Sequence, residues 1–165
     1  MHGRSLKKQG TLDIVLDSFH RSISVNPWCH KGGEPTLDQL ESLLVYARKF
    51  NPEWIASIGG GSVMDIAKAC AGLLNAPKPA IYYHEGNELL PTARIPFLAA
   101  PSTAGSGSEA TSVSVLTNQQ KGVKKSIRHP SYLPKVVILD PSLLDNCPPH
   151  IVAHSGMDAL SQAVE

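Results

Sequence analysis

The sequence lacks any apolar run near the roughly 20 residues that a membrane-spanning helix takes. Its opening, "MHGRSLKKQG", carries charges with no apolar stretch behind them, so it is not expected to act as a signal peptide. Cysteine is scarce. Cys29, Cys70 and Cys147 lie far apart with no Cys-x-x-Cys spacing, which excludes a disulfide framework and points to reduced thiols in a cytoplasmic protein. No sign of charge dominates: 15 Lys and Arg stand against 14 Asp and Glu. Lysines are adjacent only at Lys7-Lys8 and Lys124-Lys125, which leaves no footprint for nucleic acid and no polybasic membrane patch. Repeats and low-complexity tracts are also missing. What remains is an ordinary globular composition, 42% hydrophobic and 18% charged, long enough at 165 residues to bury a core.

Apolar spacing at Leu12, Val15, Leu16 and Phe19 predicts a helix within the first twenty or so residues. "SISV" at Ser22–Val25 reads as a short strand, and Pro27 ends it. Thr36 is placed to cap a helix carrying Leu37, Leu40, Leu43, Leu44 and Ala47. "WIASI", Trp54–Ile58, reads as a buried strand and runs into Gly59-Gly60-Gly61 and a new helix. Further strands are expected at Ala80–Tyr83, Pro96–Ala100, Val113–Thr117 and Val136–Leu139, with helical pattern near Ser142 and from Pro149. Helices alternating with short apolar strands predict an α/β fold with a parallel sheet covered on both faces. The chain opens on helical pattern, so its first strand is either absent or reduced to "MHG".

Two loops carry the chemistry. In "ASIGGGSVMDIAK" three glycines stand between a strand and a helix. Glycine lets backbone approach a bulky anion, and the first-turn N–H groups of the helix point at it. Ser62 is expected as the helix cap, with Asp65 three positions on in a near capping box. A plain tight turn is the alternative. The dinucleotide fingerprint Gly-x-Gly-x-x-Gly fails because Met64 holds its last position, and no Gly-Lys-Ser/Thr follows. The second loop, "PSTAGSGSEAT", leaves the strand Phe97–Ala100 with small hydroxyl residues and glycines suited to wrapping a polar ligand. A flexible linker is its alternative, and Pro101, Glu109 and the return to β pattern at Val113 speak against one.

In order along the chain, "GGGSVMDIAKA", "PSTAGSGSEAT" and "KKSIRHPSYLPKVVILDPSLLDNCPP…SGMDALSQAVE" resemble the iron-containing (group III) alcohol dehydrogenase family. The resemblance implies a Rossmann-like dinucleotide-binding domain over residues 1–148, with its first strand missing, and the start of an all-helical metal and substrate domain at 149–165. It implies a fragment truncated before that second domain. The implied cofactor-binding residues are Gly59, Gly60, Gly61, Ser62 and Asp65 at the glycine turn, and Ser102, Thr103 and Ser106 on the hydroxyl loop. Lys124, favoured over Lys125 by spacing, is implied to line the cofactor; a solvated strand charge is the alternative. No base or nucleophile stands out.

Asp158 matches the family's first metal ligand, for divalent iron or zinc, and Gln162 stands where the family has histidine. A glutamine oxygen suits these metals less well than imidazole. His150 and His154 are expected to pack or to be exposed. Alignment through "LKKQG" puts Gly3, followed by Arg4 and Ser5, where NAD-preferring members carry an acidic residue. Losing that carboxylate and gaining an arginine favours NADP over NAD. The implied activity is hydride transfer between NAD(P) and an alcohol or aldehyde, metal-assisted in the full-length protein, which is expected to be a homo-oligomer. The rivals are an inactive or cofactor-binding-only fragment and a metal-independent reductase resembling maleylacetate reductase.

Overall fold

The computed structural model describes residues 1–165. Five parallel strands form one sheet: β1 (His2–Gly3), β2 (Cys29–His30), β3 (Ile55–Gly59), β4 (Phe97–Pro101) and β7 (Val136–Val137), in spatial order β2-β1-β3-β4-β7. An antiparallel hairpin, β5 (Val113–Asn118) and β6 (Val123–Arg128), stands apart from it. The helices are α1 (Arg4–Lys8), α2 (Thr11–Ser18), α3 (Leu37–Arg48), α4 (Gly61–Leu73), α5 (Ala80–Glu85) and α6 (Pro149–Val164). The α/β class and the parallel sheet agree with the sequence reading.

"MHG" is the first strand. His2 pairs with Cys29 on one side and Ile58 on the other, and the Met1 carbonyl accepts from Ile58 N–H at 2.9 Å. The expected strand at Ser22–Val25 is irregular, and Ile23 and Val25 are exposed. The true strand lies after Pro27, at Cys29–His30. Ala80–Tyr83 is helical as well: Ala80, Tyr83 and His84 are buried at i, i+3 and i+4, a helical period. The helix ends at Gly86 with φ 83°, a left-handed cap that glycine adopts freely. Thr36 does cap α3, in a reciprocal box with Gln39.

Helix α4 explains the core. Val63, Met64 and every residue from Ile66 to Leu73 are buried, as expected of a helix enclosed all round. It packs on β3 and β4, on α3, and on β5 from the far side. The sheet is more open than one covered on both faces: Ala56 is exposed, and Val136, Val137, Ile138 and Leu139 at the β7 edge are each 40% or more exposed. No helix is long and apolar enough to cross a membrane.

Candidate functional site

Strands β1 and β3 are neighbours, yet the chain leaves β1 towards β2 and reaches β3 later. The order 2-1-3-4 therefore reverses direction between them. Such a switch point opens a crevice at the carboxyl ends of the strands. A cavity of about 490 Å³ lies there. Gly3 and Arg4 reach it from the end of β1, His30 from the end of β2, and Gly60, Gly61 and Ser62 from the end of β3. Thr103 and Ser106 line it from the hydroxyl loop, and Ile151, His154, Ser155 and Asp158 from α6.

Close approach dictates the glycines. A Cβ on Gly59 would stand 2.7 Å from the Val63 side chain, and one on Gly61 would stand 2.9 Å from Ser106. The N-cap of α4 is Gly60, not Ser62. Ser62 lies inside the first turn, where Val63 and Met64 N–H close on the Gly60 carbonyl. Without a side-chain cap, first-turn N–H groups face the cavity with no helical acceptor upstream. The hydroxyl loop is tied to this turn by Ser102 N–H donating to the Gly59 carbonyl at 2.9 Å. Its other side meets α6: a Cβ on Gly105 would lie 2.3 Å from the Ser155 carbonyl oxygen.

Asp65 turns away from the cavity. Its carboxylate accepts from Ser108 Oγ at 2.6 Å and Val115 N–H at 3.1 Å. Burial raises its pKa, opposed by those hydrogen bonds and by the Lys68 charge. One turn on, Lys68 is fully buried. Its Nζ donates to Ser108 O at 2.7 Å, Ser108 Oγ at 3.0 Å, Thr111 Oγ1 at 3.3 Å and Val113 O at 2.7 Å. Burial lowers the Lys68 pKa to about 8, with the Asp65 and Glu109 charges opposing. This pair fastens the end of the hydroxyl loop to the helix that bears the glycine turn.

The remaining expected residues separate. Ser102 holds the turn through its backbone but does not line the cavity. Lys124 sits on the hairpin, its Nζ 2.5 Å from Glu34 Oε1 and half exposed, so the solvated strand charge describes it better than a cofactor contact. Asp158 lines the cavity, whereas Gln162, one turn on, does not; its Nε2 donates to Asp158 Oδ1 at 3.0 Å. The two supply two donors on an exposed face, and no group of three His, Cys, Asp or Glu side chains gathers anywhere. That falls short of the four ligands zinc takes, so this chain's residues do not by themselves fit a metal. His154, expected to pack or be exposed, is exposed and lines the cavity. His30 and Lys68 were missed.

A family model described as iron-containing alcohol dehydrogenase matches residues 1–141. The probable alcohol dehydrogenase EutG of Salmonella typhimurium is 35% identical over 156 residues, covering 94% of this chain and 39% of that protein. The NADPH-dependent butanol dehydrogenase of Clostridium saccharobutylicum is 33% identical, over 99% of this chain and 43% of that protein. The sulfoacetaldehyde reductase of Bifidobacterium kashiwanohense, solved in complex with NAD+, superposes with a TM-score of 0.93 at 34% identity, over 99% of this chain and 43% of that one. The chain thus spans about two-fifths of the length of these relatives. The glycine turn and the hydroxyl loop lie within the matched residues and meet at the switch point of the sheet, and on that combined ground the chain belongs to the iron-containing alcohol dehydrogenase family.

Proposed function

We propose that this chain is the dinucleotide-binding part of an oxidoreductase that moves a hydride between NADP(H) or NAD(H) and a small alcohol or aldehyde. The observation that carries it is the uncapped start of α4 in contact with the hydroxyl loop, at the β1/β3 switch point. A diphosphate would lie against the first-turn N–H groups, with Gly60, Gly61 and Ser62 beneath it and the Thr103 and Ser106 hydroxyls beside it. Asp65 and Lys68 act at one remove, by holding the loop. Asp158, held by the Gln162 side chain behind it, orients a substrate oxygen, and no step here passes through a metal. The division at 148/149 goes with this reading: α6 has no buried residue, and Val152, Met157, Leu160 and Val164 are exposed along it. Homo-oligomerisation of a longer protein is proposed with it, from the same exposed apolar surface.

The test is coenzyme binding, read by fluorescence titration with NADPH and NADH. NADPH is expected to bind about tenfold tighter, because Gly3 offers no carboxylate to repel a 2′-phosphate and Arg4 follows it. Gly3→Asp should reverse this order. A Cβ there meets only ordinary contacts at 3.7 Å, so the change is electrostatic rather than steric. Failure of both coenzymes to bind would overturn the reading, and an unchanged ratio in the variant would overturn the role of Gly3.

A further inference from the structure

Of the seven histidines in the chain, five engage a ring nitrogen within the protein. His2 Nδ1 lies 2.9 Å from the Gly3 carbonyl oxygen, His20 Nδ1 2.8 Å from Ser22 Oγ, and His129 Nδ1 2.7 Å from Ser131 Oγ. His30 Nδ1 accepts from Gly32 N–H, and His84 Nε2 meets the Leu116 carbonyl. His150 and His154 are the two left over. Both are exposed on α6. Neither commits a ring nitrogen; each ring has the other as its neighbour, with centroids 6.2 Å apart and planes at 77°. Four positions separate the two, so they stand one above the other, a single helical turn apart.

We infer that His150 and His154 form a divalent transition-metal site, for an ion of the zinc and nickel class. Imidazole suits these ions, and two histidines at i and i+4 of a helix present their nitrogens to one ion. The helix supplies the preorganisation: once one ring has bound, the second bond forms within the molecule. Water fills the remaining coordination positions. The positive end of α6 lies beside the pair and opposes any cation, an effect that solvent and salt screen at exposed positions. Mg²⁺ and Ca²⁺ take oxygen ligands and should pass the pair by.

The site is separate from Asp158 and Gln162, which hold one another further along the helix through Gln162 Nε2 and Asp158 Oδ1. Cys147 precedes His150 by three residues but is half-buried, and it does not join the histidines into a group of three. Two protein donors fall short of the four that a resident structural zinc takes, so the ion held here is an exchangeable one. Its mechanical effect is local. An ion bridging the rings ties the first turns of α6 together, and His154 also lines the cavity, so the tie stiffens that wall of the cleft.

The experiment adds Zn²⁺, Ni²⁺ or Mg²⁺ to the full chain, carrying no histidine tag, and reads binding by calorimetry. Histidine ring signals are followed by NMR with Zn²⁺. One Zn²⁺ or Ni²⁺ should bind per chain. Zn²⁺ should move the signals of His150 and His154 and leave the other five in place, and Mg²⁺ should move none. His150→Ala and His154→Ala should each weaken binding about 100-fold, through loss of the chelate. Both positions are exposed, so the variants should fold. Zn²⁺ should also slow deuterium uptake over His150–Ser155 in the wild type and in neither variant. Unmoved His150 and His154 signals overturn the inference without recourse to a variant. So does a single variant that keeps the wild-type affinity. An equal loss in Asp158→Asn would put the ion at Asp158 instead and overturn it too. No coenzyme enters these measurements, so the dinucleotide reading stands or falls on its own test.

Discussion

Lys68→Ala is expected to lower stability by about 3–5 kcal/mol, the usual cost of breaking a buried charged network by removing one partner. In a chain of this size that is a melting-temperature drop on the order of 10 °C. The variant strips the carbonyls of Ser108 and Val113 of their shared donor and leaves Asp65 facing an apolar interior without its cation. Because those atoms close the hydroxyl loop, NADPH affinity should fall too. Thermal denaturation checks the first effect, and a melt within about 2 °C of wild type would show that the network contributes little. A pH series adds a signature that packing loss cannot imitate. The folded chain releases the Lys68 proton near 8, whereas the unfolded chain holds it to about 10.5. Between those values the unfolded state binds more protons, so the contribution of this group to stability rises with pH. Wild type should gain on Lys68→Met from pH 8 to 10.5, and a flat difference would place the ammonium at its ordinary pKa.

Gly72→Ala should destabilise the chain by about 3 kcal/mol, although alanine is the better helix former by about 1 kcal/mol. A Cβ at Gly72 would stand 2.3 Å from the ring of Tyr132. That ring is 1% exposed and has no room to retreat. Tyr132 belongs to the segment linking the hairpin to β7, so the clash would displace the connection that closes the core over α4. Gly72→Ala combined with Tyr132→Ala should recover part of the loss, because the two substitutions share one contact. Chemical denaturation of the four proteins gives the coupling directly, and simple additivity would count against the steric cause.

Much of this was legible in residues that combine two signals. The glycine turn follows a buried strand and opens an apolar helix, so strand, turn and helix each support the others. The hydroxyl loop shares that property between β4 and β5. What escaped were features with one signal or none. A two-residue strand such as His2–Gly3 has no period to read; only its neighbours identify it. "VKKSIR" in β6 buries only Ile127, so it reads as solvated chain. Asp65 looked like a capping residue because its offset from Ser62 fits a cap, and the inward turn of its side chain depends on Ser108 and Val115, about 45 residues away. Lys68 had a cue that was passed over, as a lone cation three positions after Asp65 in an otherwise apolar helix.

Helix α4 is sealed on every side, whereas α6 buries none of its residues. Amide hydrogens in α4 should therefore exchange only when the whole chain opens, and those of α6 within small local excursions. One bank of the cleft is anchored and the opposite bank is loose. A bound coenzyme would slow deuterium uptake at Ile151–Asp158 far more than at Gly61–Leu73, so occupancy would register in the half of the site that packs least.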